Sequence, residues 1–153
     1  VKYDRTFLAL VRKYDWISGT FYEIERPMTK AFSDLDGQKY ISLTTFRKSG
    51  IGVATPVWFA EVDGKLVVTT AGISGKVKRI RHNPCVTVAP STGRGKPTGP
   101  AIEAEVRILS ETEGNQAEQA LMKKYGWQKR LFDGFLKLTG KMNGHIYLEI
   151  SPR

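Results

Sequence analysis

The stretch VATPVWFAEVDGKLVVTTA, residues 53–71, decides the fold class that the sequence predicts. Two runs rich in β-branched and aromatic residues flank Asp63-Gly64, a dipeptide that tolerates the positive φ angles of a tight hairpin turn. Pro56 lies inside the first run. Because proline has no N–H for a strand ladder, that strand is expected at a sheet edge or at a bulge. The stretch therefore predicts an antiparallel hairpin with one interrupted strand.

Runs of similar composition lie on both sides of this hairpin. The four further runs are KYISLTTFR (39–47), CVTVAP (85–90), AIEAEVRIL (101–109) and HIYLEIS (145–151). Apolar and charged residues alternate in the third of these, which is typical of a sheet with one solvated face. Helical stretches over about 112–125 and 128–139 precede the last strand. Six antiparallel strands with few helices favour a small barrel, in the mainly β class.

The length and composition indicate one folded unit. The chain has 153 residues, of which 41% are hydrophobic and 25% charged, which is enough for one domain with a buried core. We expect a helical extension over residues 1–35 and a barrel over 36–153. In RTFLALVRKYDWI (5–17) the apolar residues lie near helical spacing with cations beside them. This segment predicts an amphipathic helix that packs on the domain or contacts a membrane surface.

The formal net charge of +9 fits a polyanionic partner or simply high solubility. Nucleic acid, a membrane surface and a phosphorylated cofactor all remain open on charge alone. Cys85 is the single cysteine and the chain has two histidines, so a Cys/His zinc cluster is not expected and no metal site is predicted. No apolar run approaches the roughly 20 residues that span a bilayer. We expect a cytoplasmic protein, with membrane association as the alternative.

The segment TTAGISGKVKRIRHNP, residues 69–84, concentrates basic side chains at a predicted helix. Ser74 is a suitable N-cap for a helix that Gly75 begins. Lys76 then lies in the first turn, where the helix dipole disfavours a cation. A bound anion would remove this conflict, because the free N–H groups of a helix start and a lysine both bind phosphate. Arg79 lies one turn further on the same face and is either a second anion contact or a surface charge.

The loop STGRGKPTGP, residues 91–100, is long for a hairpin connection and is rich in glycine. It follows Pro90 directly and carries Arg94 and Lys96. Two interpretations stay open: a solvated mobile turn, or a basic flap over an anion in which the glycines let the backbone approach closely.

Taken together, residues 39–109 resemble the flavin/deazaflavin oxidoreductases of the split β-barrel fold, a group related to pyridoxamine-phosphate oxidase. The likeness is greatest to the F-420-dependent branch and covers nearly half of the chain. It implies a six-stranded antiparallel split barrel of the FMN-binding type. It also implies a homodimer with the cofactor in a groove at the interface, and hydride transfer between the reduced cofactor and a small unsaturated or conjugated substrate.

The resemblance also implies which residues bind the cofactor. A threonine that ends a strand, followed by a serine and a lysine at the next helix start, holds the cofactor phosphate in the related oxidases. The family lays its second strand against the ring system, and no catalytic acid or base is implied. The corresponding residues here, with neighbouring candidates, are Thr55, Pro56, Val57, Trp58, Thr70, Ser74, Gly75, Lys76, Arg79, Pro90 and Arg94.

One departure from the family pattern bears on the cofactor. Gly75 stands where an arginine is usual between the serine and the lysine, which weakens the case for FMN. F-420 carries a phosphate followed by a lactyl and oligoglutamate tail, and a row of cations could follow that tail. F-420 is therefore the predicted cofactor, with FMN as the alternative.

Two other functions are compatible with parts of this sequence. A non-catalytic protein that binds or carries flavin, deazaflavin or haem is the main alternative, because one fold serves many functions. A nucleic-acid binder is disfavoured, since the cations cluster beside a helix start rather than alternating with exposed aromatic residues. His82 and His145 are interpreted as structural, and Tyr125 and Trp127 as packing between two helices.

Overall fold

The computed structural model of this chain describes residues 8–15, 20–27, 30–138 and 144–153. Within these residues a seven-stranded antiparallel sheet curls into a split barrel, and a separate two-stranded hairpin precedes it. The split-barrel prediction is confirmed. The sheet has seven strands rather than the predicted six, because the expected strand 53–62 forms two shorter ones.

The elements are numbered in chain order. The strands are β1 (Leu8–Asp15), β2 (Thr20–Pro27), β3 (Tyr40–Phe46), β4 (Gly52–Val57), β5 (Ala60–Val62), β6 (Lys65–Ala71), β7 (Cys85–Ser91), β8 (Ile102–Ile108) and β9 (His145–Pro152). The helices are α1 (Gly75–His82), α2 (Glu111–Tyr125) and α3 (Trp127–Leu138), and a 3-10 helix (Lys30–Leu35) precedes β3. Among the described residues, no helix has both the length and the apolar character needed to cross a bilayer.

The strand order across the sheet is β4-β3-β7-β8-β9-β6-β5. The two edge strands, β4 and β5, are consecutive in the chain and are joined only by Trp58 and Phe59. This short connection holds the two edges of the sheet close together, so the sheet must curl. Pro56 lies in the edge strand β4, opposite Ser42 of β3, which agrees with the edge position expected for a strand proline.

The hairpin between β5 and β6 forms at the predicted dipeptide. Asp63 and Gly64 have φ angles of 51° and 77°, the left-handed values that a two-residue turn requires. Val62 pairs with Lys65 directly across the turn. The turn therefore sets the register in which β6 enters the sheet.

Strand β6 is buried on both of its faces. Leu66 and Val68 point into the barrel interior, where they pack with the buried residues of the other strands. Val67, between them, faces a second cluster that includes Leu121 and Tyr125 of α2. Helix α2 therefore covers the outside of the barrel, and burial of a side chain such as Leu121 contributes about 1.5–3 kcal/mol.

The prediction of an N-terminal amphipathic helix over residues 5–17 is wrong for residues 8–15, the part of this segment that the structure describes. Residues 8–15 form β1, which pairs antiparallel with β2 from Leu8 opposite Pro27 to Asp15 opposite Thr20. The apolar residues of this short run fit a period of two as well as a helical period, and pairing with the next segment decides between them. The proposed membrane contact through a helix here therefore loses its basis. The division at residue 35 stays a prediction.

Candidate functional site

A cleft of about 570 Å³ opens where β4, β6, β9 and α3 meet. This volume is typical of sites for cofactors and other small molecules. One wall is apolar and aromatic, and the other carries hydroxyl groups and a lysine. The lining residues are Tyr40, Pro56, Val57, Trp58, Thr69, Thr70, Ala71, Lys76, Gly93, Phe132 and His145.

The polar end of the cleft is the start of α1. Ser74 is the N-cap in extended conformation, yet its side chain makes no capping bond. Its Oγ lies instead 3.5 Å from Thr70 Oγ1 at the end of β6. The first backbone bonds of the helix reach the Ser74 carbonyl, so the N–H groups of Gly75 and Lys76 precede the helical ladder. Two hydroxyls and the helix start thus converge at one place.

Lys76 adds a positive charge to this polar end. Burial lowers the pKa of Lys76, and the charge of Arg79 lowers it further. The first turn of α1 contains no acidic residue that would balance the ammonium group. This set of donors fits a phosphate group, because an anion here would interact with the lysine, the hydroxyls and the helix dipole together.

Gly75 leaves space that the side chain of Arg79 uses. A Cβ atom at Gly75 would lie 3.0 Å from Nη1 of Arg79. Arg79 Nε donates a hydrogen bond of 2.7 Å to Thr45 Oγ1 in β3, which directs the guanidinium back toward the helix start. A guanidinium group is therefore beside residue 75 although residue 75 itself is glycine.

A second groove, of about 320 Å³, begins at the same helix start. All of the charged side chains that line this groove are basic. The groove meets the cleft at the start of α1, because Gly75 lines the groove and its neighbour Lys76 lines the cleft. The groove is lined by Phe46, Arg47, Lys48, Gly75, Lys78, Arg79 and His82. We call it the basic groove.

The aromatic wall of the cleft is built around Trp58. Its ring stacks on Tyr125 with centroids 4.7 Å apart and planes 11° apart. The Phe132 ring is tilted against the Trp58 ring, with centroids 5.3 Å apart. The Tyr125 hydroxyl accepts a 2.9 Å bond from Phe59 N–H and lies 2.8 Å from the carbonyls of Lys39 and Phe59. Burial raises the pKa of Tyr125 to about 12. Through these hydrogen bonds Tyr125 of α2 holds the break between β4 and β5 in place.

The loop over residues 91–100 forms a compact turn beside the cleft. Thr92 N–H donates to the Lys96 carbonyl at 2.9 Å, and Gly95 N–H donates to the Thr92 carbonyl at 2.9 Å. Gly95 has a φ of 87°, and a Cβ there would lie 3.2 Å from Pro56. The loop therefore rests on the cleft rim, but Arg94 is exposed and does not line the cleft.

The structure gathers most of the sequence-predicted residues at this one place. Five line the cleft: Pro56, Val57, Trp58, Thr70 and Lys76. Ser74 lies beside Thr70, whereas Gly75 and Arg79 line the basic groove. Thr55, whose hydroxyl donates to the Leu43 carbonyl at 3.4 Å, and the buried Pro90 do not line the cleft. The cofactor-binding role of these residues stays a prediction.

Six lining residues were not predicted: Tyr40, Thr69, Ala71, Gly93, Phe132 and His145. His145 reaches the cleft because it pairs with Ala71 across β9 and β6, and the sequence carries no sign of that pairing. Phe132 comes from α3, whose packing beside β4 is likewise not a local property. Within the described residues, no group of three or more His, Cys, Asp and Glu side chains is arranged to hold a metal ion.

No protein-family model matches this sequence, and no curated protein sequence matches it. Solved structures with the same fold do match. The conserved hypothetical protein Rv2991 of Mycobacterium tuberculosis has a TM-score of 0.58 and 20% identity, covering 82% of this chain and 81% of its own. The haem storage protein HutZ of Vibrio cholerae has a TM-score of 0.58 and 14% identity, with coverages of 76% and 83%. An FAD-binding protein of Mesorhizobium loti has a TM-score of 0.55 and 16% identity, with coverages of 81% and 86%.

Proposed function

We propose that the cleft binds F-420 and that the protein is an F-420-dependent oxidoreductase acting on a small unsaturated or conjugated substrate. One observation carries the proposal: the hydroxyls of Thr70 and Ser74 lie together at the helix start, and Lys76 from the first turn of that helix lines a cleft with an aromatic wall. A cofactor with a planar ring and a phosphate needs these two surfaces in one site. The FAD-binding protein of similar fold gives a precedent for a flavin on this scaffold.

The basic groove favours F-420 over FMN. FMN ends at its phosphate, whereas the anionic tail of F-420 continues beyond it. The groove begins at the helix start and carries Arg47, Lys48, Lys78 and Arg79, so it offers cations where such a tail would continue. The guanidinium of Arg79 lies beside Gly75, near the position at which the related family has an arginine. The glycine at residue 75 therefore does not itself argue against FMN, and the preference for F-420 rests on the basic groove.

In this proposal each part of the site has a separate task. Lys76, Ser74 and Thr70 would hold the phosphate, and the surface from Pro56 to Trp58 would lie against the ring system. Phe132 and Trp58 would exclude water from the cleft around the ring. The bound cofactor supplies the hydride chemistry, and the protein supplies position and environment.

The test is a titration of the purified protein with F-420, FMN and haem at one salt concentration. We expect F-420 to bind most tightly, and Lys76→Ala to weaken it far more than Arg81→Ala, which removes an exposed cation from the same helix. Tighter binding of FMN or haem, or equal effects of the two substitutions, would refute the proposed cofactor or its site. Turnover of reduced F-420 with a panel of conjugated acceptors then tests the activity.

A haem-binding protein without catalytic activity is the second candidate. His145 lines the cleft, and histidine is a common axial ligand of haem iron. HutZ, a haem storage protein, shares the fold. If haem is the ligand, titration should shift and sharpen its Soret band, His145→Ala should abolish this change, and Lys76→Ala should leave it largely intact. F-420 binding would show the opposite dependence on these two residues.

The proposed cofactor site also bears on assembly. β4 pairs with β3 on one side only, and it carries Pro56 and Val57 of the cleft. An exposed strand edge is ordinarily covered in a stable protein. We therefore propose a homodimer in which a second copy covers this side of the barrel and the cofactor lies near the interface.

A further inference from the structure

Helix α3 presents its apolar side chains to solvent. Trp127, Leu131, Phe135 and Leu138 are 68%, 63%, 63% and 90% exposed. With 3.6 residues per turn, their spacing places all four within roughly 80° of the helix circumference. They form one continuous band, which we call the α3 stripe.

The α3 stripe is unusual within this molecule. Of the seven large hydrophobic side chains that are exposed among the described residues, five lie on α3, counting Phe132 beside the stripe. The other two, Ile51 and Ile73, stand alone in separate turns. Single exposed apolar side chains are ordinary, but a continuous band of them marks an interaction surface.

The charges that α3 presents are positive. Arg130 and Lys137 are exposed, and because they are seven residues apart they share one side of the helix, along the edge of the α3 stripe. Asp133 instead binds the buried Lys129 at 2.6 Å, and Glu118 of α2 binds the same ammonium at 2.7 Å. Asp133 is therefore neutralised by Lys129 within the protein, and Arg130 and Lys137 face solvent.

We propose that α3 docks the protein on the surface of an anionic lipid bilayer. A helix with tryptophan, phenylalanine and leucine on one face and cations along its edge lies in the plane of the headgroups, with its apolar side inserted. The alkyl parts of Arg130 and Lys137 can lie against the acyl region while their charges reach the phosphates. Each basic residue near an anionic leaflet adds to binding.

A second copy of the chain fits this surface less well. Two α3 stripes packed antiparallel about a twofold axis would bring the exposed Arg130 and Lys137 edges of both copies onto the same side of the contact. Such like charges disfavour association. An anionic bilayer supplies both the apolar region and the opposite charge. Phe132, next to the stripe, lines the cleft, so docking would hold the cleft near the lipid surface.

Vesicle co-sedimentation tests the proposal. The full chain is mixed with phosphatidylcholine vesicles that contain or lack phosphatidylglycerol. We expect binding to the anionic vesicles and little to the neutral ones. The double variant Leu131→Glu/Phe135→Glu should bind at least about 100-fold more weakly, because two apolar anchors become anions. Ile51→Glu/Ile73→Glu is the matched control, since Ile51 and Ile73 are 61% and 88% exposed outside α3, and it should lose only a few-fold.

The basic edge is tested separately from net charge. Arg130→Gln/Lys137→Gln should reduce partitioning about 10- to 30-fold, whereas Arg81→Gln/Lys96→Gln removes the same total charge elsewhere and should change it far less. Equal effects of the two double variants would overturn a local role for the edge.

A third measurement needs no destabilising substitution. The tryptophan emission of the native sequence should shift to the blue when anionic vesicles are added, and the shift should vanish in Trp127→Phe, which keeps Trp16 and Trp58. The proposal is overturned if the native protein does not co-sediment with anionic vesicles. It is equally overturned if sedimentation shows that Leu131→Glu/Phe135→Glu separates a dimer that binds no lipid, because the α3 stripe would then be a contact between copies.

Discussion

At the scale of single residues, the start of α1 combines features that are unfavourable in an isolated protein. Lys76 places a cation at the positive end of a helix dipole, and Arg79 adds a second one nearby. Ser74 does not use its hydroxyl to cap the helix. These features become favourable together when an anion binds, so they are best tested by comparing the protein with and without its ligand.

Lys76→Ala should lower the affinity for F-420 roughly 10- to 100-fold, because it removes a charge-assisted hydrogen bond worth about 1.5–3 kcal/mol. The free protein should keep its stability or gain slightly, since a cation at a helix N-terminus costs about 0.3–1 kcal/mol. Ligand titration and thermal unfolding of the free protein measure the two effects. Unchanged affinity, or a free protein destabilised like a core variant, would contradict the assignment.

Arg79→Ala should weaken F-420 binding more than FMN binding, because in the proposed site only the tail of F-420 would reach into the basic groove. The space at Gly75 allows a sharper version of this test. In Gly75→Arg/Arg79→Ala, a guanidinium returns to the helix start from the neighbouring position, and we expect FMN and F-420 affinity to recover partly. A double variant no better than Arg79→Ala would show that the Thr45 contact, rather than the charge, is what Arg79 provides.

At the scale of elements, the sequence correctly predicted those that a few neighbouring residues determine. The Asp63-Gly64 turn formed as expected because two adjacent residues determine it. The strand over 53–62 was expected whole, but it divides at Trp58 and Phe59, where Tyr125 from a distant helix binds the backbone. Residues 8–15 were expected as a helix, and their pairing with residues 20–27 made them a strand instead.

The candidate site divides in the same way. Thr70, Ser74 and Lys76 lie within seven consecutive residues, so their convergence follows from a strand end and a helix start that the sequence predicts. Phe132 and His145 reach the same cleft from elements more than fifty residues further along the chain. Their positions depend on how α3 packs and on the register of β9, which no short pattern encodes.

Tyr125→Phe tests the contact that holds the divided strand. Removing the hydroxyl leaves the buried N–H and carbonyl of Phe59 without their side-chain partner, and such a loss costs about 1–3 kcal/mol. Urea unfolding should show this decrease, while the retained ring still stacks on Trp58. A variant as stable as the native protein would mean that water or a shifted backbone satisfies Phe59 equally well.

The start of α2 should make stability depend on pH. Ser110 and Glu113 form a capping box, and bonds from the Ser110 backbone, then Arg107 and the Ser110 hydroxyl, lower the pKa of Glu113 to about 2. A carboxyl whose folded pKa is lowered stabilises above its ordinary pKa, and this contribution is lost as pH falls toward 2.

Thermal unfolding of Glu113→Gln should therefore show a deficit at pH 7 that shrinks between about pH 5 and pH 2. Glu111→Gln, in the same turn but outside the capping box, is the control and should show a smaller deficit. A deficit for Glu113→Gln that stays constant with pH would show that the carboxylate charge is not what stabilises this helix start.

At the scale of the whole molecule, the proposed homodimer is the property to test. Because β4 has a partner on one side only and contributes to the cleft, we expect sedimentation at micromolar concentration to give twice the 17.1 kDa mass of the chain. Addition of F-420 should strengthen the dimer if the cofactor lies near the interface. A monomer under these conditions would count strongly against this arrangement.

The position of β9 in the sheet has a consequence for how the protein is made. β9 lies between β8 and β6, so without it the sheet is two unconnected pieces, β4-β3-β7-β8 and β6-β5. It is also the last strand of the barrel to leave the ribosome. At roughly 5–20 residues per second, several seconds separate the synthesis of β6 from that of β9. Throughout that interval β6 lacks its β9 neighbour, so the barrel cannot close and apolar surface stays exposed on the nascent chain until β9 has been made.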